Sequence, residues 1–170
     1  MAGGETVTRS DLLRCLCAFL ENATKDLIMP TALQKGDTEQ GYRAAAIHQM
    51  RLPNGADTAK LTPYILVRVI HGDDVQKEGT DLESTAVIRM TFAVYSKDEP
   101  EGELMLLNLM ERVRIALLKQ VVIGDLYTLD LTDGLSCDVY DGIKAPYYAG
   151  EMVSTWQLPP IEREDVLQCL

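Results

Sequence analysis

Leu12, Leu13, Leu16, Phe19 and Leu20 recur at three- and four-residue spacing, which puts them on one face of a helix. Ser10 is the predicted N-cap and Asp11 the first-turn acid. The helix is expected to end near residues 22–25, and Pro30 stops any continuation. Residues 31–62 follow neither the helical nor the strand period. Gly36, Gly41, Pro53 and Gly55 punctuate them. The expectation is an extended arm with one short strand in residues 42–52, because connections of such length are uncommon in compact domains.

Beyond Pro63 the pattern changes. Residues 64–70 are β-branched and apolar on both faces, which predicts a strand inside a sheet. Ala86, Ile88, Met90, Phe92 and Val94 alternate with more polar positions, predicting a long strand with one buried face. The two strands are expected to pair antiparallel through an acidic loop at residues 71–83. Pro100 opens a second helix in which Leu106, Met110, Val113 and Leu117 form the core stripe, widened by Leu107 and Leu118. Glu99, Glu101 and Glu103 lie at its positive end and Arg112, Arg114 and Lys119 towards its negative end. Residues 126–131 and 135–140 read as two strands around a turn at Thr132, Asp133 and Gly134, with a second turn at Asp141 and Gly142. Residues 148–158 alternate again, with Met152, Trp156 and Leu158 on one side. The expected architecture is a single α+β domain over residues 1–170. Its mostly antiparallel sheet is flanked by two amphipathic helices, and residues 1–9 and 161–170 fray.

Charge alters the functional picture more than the fold. The net charge of −10 opposes general binding to nucleic-acid phosphates or to an anionic membrane surface. The acid is concentrated in residues 72–83, where Asp73, Asp74, Glu78, Asp81 and Glu83 face Lys77 alone, and again in residues 97–103. Residues 42–60 are mildly basic through Arg43, Arg51 and Lys60. Patches of opposite sign suit contact between copies, while solvated loops account for the same residues without a partner. Residues 1–5 lack a basic segment followed by an apolar one, and no apolar run approaches a membrane span, so cytoplasmic synthesis with reduced thiols is expected. Of the four cysteines, Cys15 and Cys17 point to different sides of a helix, and none forms a Cys-x-x-Cys pair with Cys137 or Cys169.

Candidate chemistry is sparse. With only His48 and His71, the one suggestive cluster is His71, Asp73 and Asp74, which could supply part of a metal site but reads more simply as a strand running into an acidic loop. Asp130, Asp133, Asp138 and Asp141 crowd predicted turns, where aspartate is a preferred former. Arg68 and Arg89 are expected on adjacent strands, able to grip an anion or to pair with the acidic loop. No serine sits in a nucleophile elbow, and no Gly-rich phosphate-binding motif occurs. No catalytic residue, cofactor or metal follows from these patterns.

The block Pro63-Tyr-Ile-Leu-Val-Arg-Val-Ile-His-Gly-Asp-Asp, followed by Val87-Ile-Arg-Met-Thr-Phe-Ala-Val-Tyr-Ser, resembles the tail terminator, or tail-completion, family of long-tailed phages and prophages. The helix at residues 103–119 and the ending Tyr147-Tyr-Ala-Gly-Glu-Met-Val-Ser-Thr-Trp-Gln-Leu-Pro-Pro-Ile-Glu extend the likeness. It covers residues 63–162 through hydrophobic pattern and element order. The resemblance implies a non-enzymatic virion subunit that forms a hexameric ring at the head-proximal end of the tail tube. Its implied partners are further copies of itself, the tail tube protein and the head connector protein, with DNA passing through unbound. Asp73, Asp74 and Glu78, together with Arg43 and Arg51, are the candidate contact residues between copies. Three other readings stand beside it: another neck or minor tail component, a small metal-dependent enzyme using His71, Asp73 and Asp74, and an adaptor that binds through a sheet edge.

Overall fold

The structure is a computed structural model and describes residues 7–55 and 57–164. The expected α+β class holds. A seven-stranded, mostly antiparallel sheet carries two long helices, α1 (Arg9–Thr24) and α2 (Glu99–Lys119). Helix α1 is capped by Thr8, two residues before the expected Ser10. The Thr8 hydroxyl accepts from the Asp11 amide at 3.1 Å and donates to the Asp11 carboxylate at 3.0 Å. Val7 packs against the core just ahead of the cap, so residues 7–9 are part of the fold rather than frayed. Residues 1–6 and 165–170, which include Cys169, lie outside the described residues.

The long connection is more regular than expected. Strands β1 (Met29–Pro30) and β2 (Tyr42–Arg43) form a small antiparallel pair. Strand β3 (Ala46–Gln49) joins the edge of the main sheet, and a 3-10 turn spans Thr58–Leu61. β3 runs parallel to β4 (Tyr64–Val75), with Ala46 opposite Tyr64 and Gln49 opposite Val67. Met50 then adopts φ 62°, a left-handed conformation that turns the chain away after its amide donates to Val67 O.

β4 pairs antiparallel with β5 (Glu83–Tyr95), as expected, but both strands run deeper into the acidic stretch. His71 and Asp73 belong to β4, and only residues 76–82 form the connecting loop. A register shift between Val69 and His71 marks a bulge in β4. β5 also pairs along its whole length with β9 (Tyr147–Leu158), making these two strands the centre of the sheet. Strands β6 (Val122–Ile123), β7 (Tyr127–Asp130) and β8 (Ser136–Val139) complete it. β7 and β8 do not form the hairpin their turn suggested. They lie one after the other along the same edge of β9, β7 at residues 155–157 and β8 at residues 150–153.

Both helices cover one face of the sheet. Ala86, Ile88, Met90, Phe92 and Val94 are fully buried beneath them, as the alternation required, with Ile65, Val67, Met152 and Trp156 alongside. Each such large side chain stabilises the fold by roughly 1.5–3 kcal/mol relative to exposure. Leu106, Met110, Val113 and Leu117 form the buried stripe of α2, joined by Leu109. Leu107 and Leu118 do not widen it, because both point to solvent. The Trp156 indole N–H donates to Ser154 Oγ at 2.9 Å, which satisfies two polar groups inside the core. Gly102 lets the Tyr148 ring lie directly on α2, where a Cβ would collide with the ring.

Candidate assembly surface

The acidic end of the β4–β5 pair carries most of the charge singled out in the sequence, and the two-residue period of a strand sorts it onto two faces. Gly72 and Asp74 lie on the helix-covered face, opposite Ala86 and Ser84. His71, Asp73 and Val75 lie on the other face. Arg9, the first residue of α1, reaches across Gly72. Its guanidinium donates to Thr85 O at 2.9 and 3.0 Å, to Asp73 O at 3.0 Å and to the Asp74 carboxylate at 3.3 Å. A side chain at position 72 would occupy the space of that guanidinium, so glycine is required by close approach rather than by backbone angle.

Asp74 also accepts from Ser84 Oγ at 2.7 Å. That bond, with those of Arg9, holds its carboxyl below the usual aspartate range. His71 Nε2 meets Asp73 Oδ2 at 2.9 Å on the open face. The proposed His71, Asp73 and Asp74 constellation is therefore split: two members meet, and the third faces the helices, already engaged by Arg9 and Ser84. Among the described residues, no three His, Cys, Asp or Glu side chains are grouped so as to hold a metal ion.

Glu78, Asp81 and Glu83 are exposed at the tip and base of the loop, and Lys77 is the only cation among them. Beside this loop a cavity of about 480 Å³ opens between Gln76, Leu82 and the segment Pro160, Ile161 and Arg163. It is a surface groove rather than a closed site.

The basic candidates differ from one another. Arg43 is turned inward: its guanidinium donates to Leu61 O at 2.6 Å, Pro63 O at 2.7 Å and Ala44 O at 3.1 Å. It ties β2 to the start of β4, and partial burial lowers its pKa. Arg51 is exposed beyond the end of β3 and makes no ion pair among the described residues. The structure thus brings Asp73, Glu78 and Arg51 to the surface and commits Asp74 and Arg43 to internal contacts. Sequence reasoning missed Arg9. Its signal was a cation at a helix start, 64 and 65 residues before the acids it grips, a separation that no local pattern reveals.

On the open face, Arg68 and Arg89 are register partners, as adjacent strands predicted. Arg89 pairs not with the acidic loop but with Glu151, Nε to Oε2 at 2.9 Å, with the N–H not aligned to the oxygen. Asp130 accepts from the Thr132 amide at 2.9 Å and from Gln157 at 3.2 Å, the turn-forming role expected of it. Cys17 is buried, and that burial, with Glu21 nearby, pushes its thiol up to about 11. Cys137 is exposed on β8. The most that this end of the molecule displays is a group of exposed carboxylates on β4, the loop and the start of β5, beside an Asp74 that Arg9 holds in place. No protein-family model matches this chain, and no curated protein matches it.

Proposed function

We propose that the chain is a structural subunit of a phage or prophage virion, of the tail terminator type. In this reading it assembles with further copies at the head-proximal end of the tail tube, ends polymerisation there and presents a surface to the head connector. The observation that carries the reading is the β4–β5 end, an acidic projection on which Asp73, Glu78, Asp81 and Glu83 are exposed while Asp74 ties it to Arg9. The α+β architecture, with helices on one sheet face and a mixed polar face left open, is the kind of subunit the resemblance implies. Net charge of the same sign as DNA favours passage of the genome without adhesion.

A ring contact is heterologous, one patch meeting a different patch on the next copy. Asp73 and Glu78 on one copy and Arg51 on its neighbour are the proposed pair. Asp74 and Arg43 serve instead as supports for the elements that carry them. The test is to add the purified chain to tail tube protein as it polymerises, and to image the products. Shortened tubes capped at one end are expected, and an Asp73→Lys, Glu78→Lys variant should cap them several-fold less well at low salt. Tubes of unchanged length with bare ends at saturating chain would overturn the assignment.

A further inference from the structure

Helix α2 is apolar on two sides. Its buried stripe faces the sheet, and a second stripe of Leu104, Leu107, Ile115 and Leu118 faces solvent, with exposures of 56%, 46%, 43% and 38%. At 3.6 residues per turn the two stripes lie roughly 145° apart around the helix. A helix apolar on both sides is normally covered on both. Among the described residues nothing covers the second one.

The stripe is symmetric about Glu111. Leu104 and Leu118 stand seven residues to either side, and Leu107 and Ile115 stand four to either side. Charge reverses along the helix, from Glu101 and Glu103 at the start of α2 to Arg114 and Lys119 towards its end, and Glu103 and Lys119 stand eight residues to either side of Glu111. Arg112 is already taken, pairing with Asp26 at 3.0 Å. An element whose apolar positions are palindromic and whose charge reverses along its length is complementary to itself run backwards. A parallel arrangement would instead place acid against acid and base against base. Beside the stripe, the β8 edge adds exposed Val139, which lines a cavity with Glu103 and Leu106, and Cys137, close enough to Glu111 and Arg114 to feel their charge.

We propose that this face of α2 docks on the same face of a second copy of the chain, antiparallel, about a two-fold axis through Glu111. Leu104 then meets Leu118 of the second copy, Leu107 meets Ile115, and Lys119 comes level with Glu103, two residues from Glu101. Glu111, which accepts from Arg114 at 2.7 and 2.9 Å within one helix, brings two such ion pairs together at the axis. The four helix side chains alone fall short of the ~800 Å² per partner of a standard interface. The β8 edge enlarges the patch, and the affinity expected is micromolar rather than nanomolar. This contact is isologous, unlike the ring contact above, and does not depend on it.

The test uses the full chain in light scattering over a wide concentration range, followed by cross-linking. The wild-type mass is expected to rise to that of a dimer, and Leu107→Glu with Ile115→Glu should weaken association by roughly tenfold or more, as for central interface positions. Because both positions are exposed, circular dichroism should be unchanged. In a Cys137→Ser, Cys169→Ser background, Leu104→Cys with Leu118→Cys should give a covalent dimer on mild oxidation, while either cysteine alone should not. The two positions are about 21 Å apart along one helix, so the bridge must join two copies. A monomer at every concentration, a dimer indifferent to the glutamates, or a covalent dimer from either single cysteine would each overturn the proposal. Tube capping by the glutamate variant separates the two ideas, since its persistence leaves the tail reading standing when the dimer is lost.

Discussion

The two ends of the β4–β5 pair share one hydrogen-bonded ladder but are held in place by different forces. From Tyr64 to Val69, opposite Ile88 to Ala93, the ladder lies in mid-sheet with both helices above it and Phe92, Met90 and Ile88 fully buried. From His71 to Val75, opposite Glu83 to Val87, β3 has already turned away at Met50, and the β4 side chains are exposed. Here β5 still packs through Ala86, but β4 itself is held by one guanidinium, that of Arg9, which spans the two strands. The first region depends on apolar area, which salt hardly affects. The second depends on charge-assisted hydrogen bonds at a partly exposed site, which salt and acid both weaken. A rigid base thus carries an acidic end that can open on its own, at a free energy below that of global unfolding.

The largest effect should come from the base. Phe92→Ala removes a fully buried ring beneath the helices and should lower global stability by about 3–5 kcal/mol. Denaturant unfolding would register this as a lower midpoint with the slope unchanged. A loss below ~1 kcal/mol would mean that the helix layer is loosely seated. Next is Gly102→Val, which forces a side chain into the Tyr148 ring and should cost about 1–3 kcal/mol by overpacking. Adding Tyr148→Ala should recover part of that loss. Without recovery, the close approach of ring and helix would not be the cause.

At the acidic end, Arg9→Gln should leave the unfolding midpoint within about 1 kcal/mol of wild type. Amide exchange around Asp73 and Thr85 should nevertheless rise severalfold. Gly72→Val should reproduce that local effect without touching the arginine, because it evicts the guanidinium. Equal acceleration of the Phe92 amide would show that the two ends open together and remove the distinction.

How far this division was legible follows from the range of each interaction. The alternation from Ala86 to Val94 and the three-four stripe of α2 are local periodicities imposed by a core, and both appear as written. Residues 31–62 were opaque because β3 earns its place by pairing with a strand that begins fifteen residues later, a parallel contact with no local signature. Ser10 and Thr8 are equally good caps by composition. Thr8 takes the role where Val7 packs into the core and Arg9 can reach β4. Leu107 and Leu118 read as core in sequence because apolar character alone cannot say which of two apolar faces meets the sheet. The acidic run reads as a loop in sequence because its charge masks the strand that Arg9 stabilises from a distance. Of the candidate contact residues, Asp73, Glu78 and Arg51 lie at the surface, as their charge suggests, whereas the internal duties of Asp74 and Arg43 are visible only in three dimensions.

The smallest effect, and the most selective, is the response to acid. The Asp74 carboxyl titrates below its ordinary value near 3.8 because Ser84 and Arg9 donate to its charged form. The unfolded chain therefore binds a proton more readily than the folded one, and stability rises with pH through this window. The Asp74 contribution is complete above the unfolded value and is lost as pH falls from about 4 through the lower folded value. Asp130 and Glu111 are depressed in the same direction, by the Thr132 amide and by Arg114, so global acid unfolding mixes all three. Local exchange separates them. Between neutral pH and pH ~3.5, protection around Thr85 should fall in the wild type, after correction for intrinsic exchange, while protection around Phe92 holds. Asp74→Asn should begin at the lower protection and show little further loss. If the wild type and Asp74→Asn lost protection at Thr85 in parallel, the clamp would owe its strength to the backbone carbonyls of Asp73 and Thr85 alone, and the acidic end would be insensitive to the charge at position 74.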